Sequence, residues 1–522
     1  MPASSIPARG PDRMIQRHSE ASPSRTAFLY RGKTFTYADV ARQTEALSAS
    51  FQQYFTPGEP VALWLPNSPE IILACLAGFK AGVVPMPVNF DSKLAELAGI
   101  IRHARCRHLL ITPAMAESIK AADFGNTELK TIRVINGSEL TLLHTLEPKE
   151  TDPGRKAPCE PDRTTALILH TSGSSGQPKG VMISHTALEH IIQGRIHCAN
   201  ISENSTAVIA SSLAHSVGLY QALAFLYSGA AFVLLESYAM DRLAETVNSY
   251  KPSHLIMVVS AFEQLLVHAR INAGSFQNIV FAAVGADRVT QQVQDNFMAL
   301  TGRMLAASYG MTELSWMLLN NETSPDKGTA LGRPAPGVDI RLQDENGHDV
   351  AKGCVGEIVA RSPRAMQAYL YNPELTEETL KDGWIRSADL AYEDADGVFW
   401  YVGRTKDLIV LNSGDTVSPM EIEKAVLSLP NIADCIVLGM QVYNTDTGSY
   451  SEVPWAFISR HDSTIDAAAI MSHLHQQLSD YKLPRELVFL KEFPRGVSGK
   501  ISRKELREWW NKKPRKSHCC PT

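Results

Sequence analysis

Apolar runs of strand length alternate with helix-period segments through the first four hundred residues, and this alternation constrains the fold more than any other feature. Pro60–Leu65, Val83–Val88, Arg107–Ile111, Thr131–Ile135, Ala207–Ala210, Ala231–Leu235 and His254–Val259 read as strands. Pro69–Ala81, Ala239–Tyr250 and Ala261–Asn272 read as helices between them. Strands this continuously apolar are covered on both faces, so the pattern predicts an α/β architecture with buried, layered sheets. Near residue 400 the texture changes. Strands at Val398–Val402, Leu408–Leu411, Asp434–Leu438 and Val453–Ser459, with helices at Met420–Leu427 and Ile465–Leu478, predict a small α+β domain. We therefore expect a tail at 1–13, a large multi-subdomain N-terminal domain at 14–404, a small mobile C-terminal domain at 405–512 and a second tail at 513–522.

The 522 residues suffice for roughly three or four domain-sized units. Fifty Lys and Arg stand against 55 Asp and Glu, a net charge of −5, which argues against broad attraction to nucleic acid. Cys75, Cys106, Cys159, Cys198, Cys354, Cys435, Cys519 and Cys520 lack metal-ligand spacing and predict free thiols in a reducing compartment. Cys519-Cys520-Pro521-Thr522 superficially resembles a prenylation box, with an atypical terminal Thr. The N-terminal stretch has no apolar core, so a signal peptide is not expected there. Lys80, Pro85 and Pro87 interrupt the longest apolar stretch, Ile71–Val88, so no integral membrane segment is expected. The expectation is a cytoplasmic protein.

Four segments carry chemistry. In the first, Thr171-Ser172-Gly173-Ser174-Ser175-Gly176-Gln177-Pro178-Lys179-Gly180-Val181, glycines allow several N–H groups to point at one centre, hydroxyls add donors and Lys179 adds charge. That suits a polyphosphate. No Gly-Lys-Ser/Thr closes it as a Walker loop, and Pro178 opposes a helix leaving it, so it reads as strand–loop–strand. Taken alone, it is equally a flexible linker. The second, Ser308-Tyr309-Gly310-Met311-Thr312-Glu313, offers a flat ring for a base and a hard carboxylate for Mg²⁺, or else a plain helix start. The third, Asp382–Asp389 with Gly403-Arg404, places a carboxylate suited to two ribose hydroxyls near a cation. Asp396-Gly397 is a hairpin turn. The fourth, Pro494–Arg503, holds Lys500 beside Gly499, either as a mobile cation that reaches an anion or as a solvated basic turn.

In this order, from Phe35-Thr36-Tyr37 to Lys500, the segments closely resemble the adenylate-forming (AMP-binding) superfamily, and within it the acyl- and fatty-acid–CoA ligases. The resemblance implies a nucleotide site formed by Thr171, Ser172, Gly173, Ser174, Ser175, Gly176, Lys179, Gly285, Ala286, Tyr309, Asp389 and Arg404. It implies catalytic roles for Lys500, Thr312 and Glu313, with Glu313 holding Mg²⁺. It places His215 and Gly310 at the acid pocket, Lys406 on a hinge and Gly414 on a pantetheine tunnel. ATP, Mg²⁺ and CoA are the implied cofactors, and a fatty or aryl carboxylic acid is the implied substrate.

Departures from the family pattern are Ser387-Ala388-Asp389 for Thr-Gly-Asp, Val284–Asp287 for Gly-Gly-Ala-Pro, and Ala368-Tyr369 for Gly-Tyr. If Ala388 takes the positive φ of the glycine it replaces, the local cost is about 1 kcal/mol. None of these changes removes a charge used in catalysis. Ala214 stands where amino-acid-activating members carry an aspartate, so an α-amino acid is not expected. His215 matches the histidine of a Phe-His-x-x-Gly segment, its alternative being a structural histidine. Gly310 stands where acetate-restricted ligases carry Trp, which favours a longer aliphatic or aromatic acid, and the Asp407–Pro419 loop tilts this toward fatty acids. Absence of a carrier domain after 512 and of an insertion between Glu313 and Asp389 favours CoA as acceptor. A stand-alone enzyme loading a carrier protein is the alternative. A pseudo-enzyme that only senses an adenylate is the reading from another class, which intact Lys500, Glu313 and Asp389 disfavour.

Overall fold

The computed structural model describes residues 10–146, 159–172, 178–285, 287, 289–411, 416–444, 449–462, 464–493 and 503–512. It is a mixed α/β structure with two compact units, one of residues 1–340 and 359–387, the other of residues 341–358 and 388–522.

Among the described residues, three of the sheets lie wholly in the larger unit. A nine-stranded sheet has a parallel centre, running from Ala306–Met311 through Phe281–Gly285, His254–Val258, Thr206–Ile209 and Ala231–Leu234 to Thr26–Tyr30. Antiparallel strands close both edges: Ser315–Asn320 with Arg333–Pro334 on one side, Lys33–Thr36 on the other. Val208, Leu255, Phe262, Val284 and Phe297 pack between this sheet and the helices Met240–Tyr250, Val259–Leu266 and Gln291–Thr301. A five-stranded sheet, Val84–Val88, Pro60–Trp64, His108–Ile111, Thr131–Asn136 and Glu139–Thr145, is parallel except at its last strand. The third is a small antiparallel sheet of Ala368–Tyr369, Pro178–Ser184 and Thr165–Ser172.

Helix Pro69–Ala81 occupies its expected span, with Pro at its first position and Gly82 in the left-handed conformation just past its end. The expected tail boundary at residue 13 falls inside a helix, Pro11–Ala21. Helix Ala261–Asn272 is instead Val259–Leu266, followed by turns, and Asn272 caps a separate short 3₁₀ segment, accepting from the Gly274 N–H at 2.9 Å.

In the smaller unit, Ile432–Asn444, Ser449–Arg460 and Glu486–Leu490 form a three-stranded sheet. Helices Pro419–Leu427 and Ala467–Gln477 pack on one face through Ile422, Val426, Val437, Ile458 and Leu474, while helix Arg503–Lys512 contributes Leu506 to a second cluster with Phe457. The strand Trp384–Glu393 passes from one unit to the other between Ser387 and Ala388. The expected boundary was 404/405. Pairing of Asp389 with Arg404 keeps the Phe399–Arg404 strand with the smaller unit. Among the described residues no helix is long and apolar enough to cross a membrane, and the cysteines from Cys75 to Cys435 are free thiols.

Candidate active site

The strand–loop–strand reading of the first motif holds at both ends. Thr165–Ser172 and Pro178–Ser184 pair antiparallel, with Thr171 opposite Lys179 and Ser172 opposite Pro178. Gly173, Ser174, Ser175 and Gly176 lie outside the described residues, as does the Ser172 side chain. The same small sheet brings in Tyr369, which pairs with Val181. Lys179 Nζ lies 5.5 Å from the centroid of the Tyr369 ring, a cation–π distance.

The second motif is a β-turn-β unit rather than a helix start. Ala306–Met311 and Ser315–Asn320 pair antiparallel, with a bulge between Tyr309 and Gly310, and Thr312–Leu314 make the turn. Glu313 is buried in that turn, 7% exposed. The Tyr369 hydroxyl donates to its Oε1 at 2.5 Å, and the Glu313 carbonyl accepts from the Met366 N–H at 2.7 Å. Burial, then the Glu313 charge, push the Tyr369 phenol far above its usual range, so it stays a donor. Thr171, Lys179, Tyr369 and Glu313 therefore form one connected group in the larger unit. Tyr369 was not among the sequence-derived site residues, although its position in the Ala368-Tyr369 pair had been noted. Tyr309 and Thr312 are half-buried on the same hairpin.

Gly285 ends the parallel strand beside this hairpin, where an added Cβ would meet Ser308 Oγ at 2.5 Å. Ala286 is outside the described residues. At Gly310 a Cβ would come within 2.0 Å of the Ser315 carbonyl oxygen. This hairpin backbone leaves no room for a Cβ at Gly310.

His215 precedes helix Ser216–Tyr227 and is exposed. The protein around it holds its pKa below the ordinary histidine value. The imidazole is accordingly neutral at pH 7.

Asp389 and Arg404 are register partners in the smaller unit. Arg404 Nε donates to Asp389 Oδ1 at 3.0 Å and the Tyr401 hydroxyl donates to the same oxygen at 3.3 Å, fixing one orientation of a carboxylate 7% exposed. Ala388, just before it, has φ +58°, so alanine does stand in the left-handed region at the expected glycine position. Its N–H donates to Glu357 Oε1 at 3.0 Å. The backbone of Lys406 lies in a short 3₁₀ turn, Thr405–Asp407. The Lys406 side chain, Gly414 and Lys500 lie outside the described residues.

The family model of AMP-binding enzymes matches residues 15–370, and that of the AMP-binding enzyme C-terminal domain matches residues 421–500. A feruloyl-CoA synthase of Amycolatopsis sp is 28% identical over 496 residues, which cover 94% of this chain and 97% of that protein. A long-chain-fatty-acid–CoA ligase of Yersinia pestis is 27% identical over 517 residues, covering 92% and 91%. Among solved structures, ATP-bound MatB from Rhodopseudomonas palustris superposes with a TM-score of 0.83 at 24% identity, over 96% of this chain and 99% of that one, a likeness of fold.

Proposed function

The chain belongs to the family of AMP-binding enzymes, and from that premise we propose that it activates a carboxylic acid with ATP and passes the acyl group to the thiol of CoA. In the first step a substrate carboxylate oxygen attacks the α-phosphorus of ATP, the bond to pyrophosphate breaks and an acyl-adenylate forms. In the second a thiolate attacks the acyl carbon, the thioester forms and AMP leaves.

One observation carries the reading. The strands flanking the 173–177 segment and the Glu313 turn are tied together through Tyr369, which supports a reading in which the Lys179 cation and a buried hard carboxylate act on one ligand. Triphosphate needs both. No cluster of three metal-ligating side chains occurs among the described residues. Mg²⁺ keeps water and substrate phosphate ligands and takes only one or two protein carboxylates. Glu313 would hold it, and when bound the ion would neutralise charge on the phosphates. Thr171, Ser172, the 173–176 loop and Thr312 would donate to the phosphates, Tyr309 would stack on adenine beside Gly285 and Ala286, and Asp389 with Arg404 would take the ribose.

An anionic carboxylate must approach an anionic nucleotide, and Lys500 would cancel the repulsion where charge develops. Placing Lys500 on a domain that turns about Lys406 would let the Gly414 loop replace it and admit pantetheine for the second step. His215 would border the acid. With free thiols throughout the described cysteines, a reducing, cytoplasmic setting fits.

The test is pyrophosphate release across aliphatic, aryl and amino acids, with and without CoA. Turnover by non-amino acids that CoA accelerates is the expected outcome. Adenylation that CoA leaves unchanged and a holo-carrier protein accelerates would replace CoA with the carrier as acceptor.

A further inference from the structure

Helix His185–Ala199 buries an arginine on its inner face. Arg195 is 4% exposed, and its Nε and Nη1 have no hydrogen-bond partner. Its guanidinium lies 4.5 Å from the Trp316 ring centroid and 5.5 Å from that of Tyr220. The Tyr220 hydroxyl is likewise buried and unpartnered. A second guanidinium, Arg364, 6% exposed, packs against the same helix so closely that a Cβ at Gly194 would touch it. Its recorded acceptors are neutral carbonyls, those of Trp316 and Pro336. No carboxylate pairs with either arginine among the described residues. Each is pushed below the usual arginine range by burial, Arg195 to about 10 with a further small push from Arg364, and both remain cationic at pH 7.

Two like charges sealed in low dielectric are costly, and aromatic faces compensate only in part. An anion arriving beside them would offset that cost. The elements enclosing Arg195 are those that carry the expected acid-pocket residues. Tyr220 lies on the helix that follows His215, Trp316 is the register partner of Gly310, and Trp316 stands three residues after Glu313. Tyr220 also feels the Glu313 charge.

We propose that Arg195, with the Tyr220 hydroxyl, is the specificity-determining site of the acid pocket and selects a carboxylic acid that carries a second, distal oxyanion such as a carboxylate or sulfonate. This rests on the ligase reading above and narrows it. The carboxyl that is activated stays at the nucleotide, and the distal anion pairs with Arg195. An apolar fatty tail would leave the cation unmet.

The experiment compares α,ω-dicarboxylic and ω-sulfo acids with monocarboxylic acids of the same length, by pyrophosphate release and by calorimetric titration in the presence of ATP. It uses the full chain, Arg195→Met and Tyr220→Phe. The unaltered enzyme is expected to favour the dianionic acid by at least about tenfold in kcat/KM. Arg195→Met is expected to lower that value about 10²-fold or more and invert the preference. Without acid, Arg195→Met should melt at a higher temperature, because an unmet buried charge has gone; a purely structural cation would give a lower one. Tyr220→Phe, which only removes an unpartnered hydroxyl, should weaken the dianionic acid more than the monoacid and keeps the question open to test if Arg195→Met does not fold. A preference for monoacids that neither variant alters would overturn the inference and leave the ligase reading standing. Should no acid release pyrophosphate, the ligase reading fails, and the titration still decides: dianion binding lost in Arg195→Met supports the site, and no dependence on Arg195 overturns it.

Discussion

Ala388 shows how one residue stores strain at a site. Its φ of +58° places a Cβ against the following carbonyl, at about 1 kcal/mol for a non-glycine residue. Its N–H bond to buried Glu357 and the Arg404 and Tyr401 bonds to the adjoining Asp389 hold the backbone there. Glycine at an ordinary φ would destabilise the protein, through greater freedom of the unfolded chain. Here the sign reverses: Ala388→Gly is expected to raise the free energy of unfolding by about 1 kcal/mol, measured by denaturant titration. A fall would mean that the strained conformation is not the one populated in solution.

Among elements, the helix Arg503–Lys512 begins three residues after Lys500, and its first side chain clips it to the small sheet. Arg503 donates from Nη2 to Glu423 Oε1 and from Nη1 to the Val437 carbonyl, each at 2.6 Å, while the Val437 N–H donates to the same Glu423 oxygen at 2.8 Å. Glu423 is 4% exposed. Arg503→Met should cost about 3–5 kcal/mol by leaving that carboxylate buried and unpaired. Adding Glu423→Gln should recover part of the loss in a double-mutant cycle. A cost under about 1 kcal/mol for the single change would contradict this clip. Little of the arrangement was legible in the sequence. Elements with strong local signals were: Pro69–Ala81 has its proline start and glycine stop, and Pro60–Trp64 is an unbroken apolar run. Asp434–Leu438 was read too short because the strand Ile432–Asn444 continues through polar Gln441 and Asn444, held by pairing with Ser449–Arg460 that no local pattern announces. Glu313, Asp389 and Lys179 stood out within motifs. Tyr369 and Arg195 did not, because their roles come from contacts across the fold, and an arginine amid helix residues reads as surface until its burial is seen.

For the molecule as a whole, acid should be destabilising well before carboxylates titrate. His170 precedes Thr171 in the strand Thr165–Ser172, with both ring nitrogens buried and unpartnered, and burial lowers its pKa from 6.5 to about 3. His103, His185 and His254 are also lowered by burial. A depressed histidine pKa means that the unfolded chain binds the proton first. Stability therefore rises with pH between the folded and unfolded values and falls as pH drops below 6.5, by about 1.4 kcal/mol per pH unit for His170 alone. Unfolding free energies that stay level from pH 7 to about 5 would contradict that burial. We propose that one site performs two reactions in turn, with Lys500 serving the first. The most direct measurement separates the half-reactions in Lys500→Ala, following pyrophosphate release from acid and ATP and, separately, thioester formation from supplied acyl-adenylate and CoA. Adenylation is expected to fall by about 10²–10³ or more while thioester formation is largely spared. Equal loss of both would contradict it.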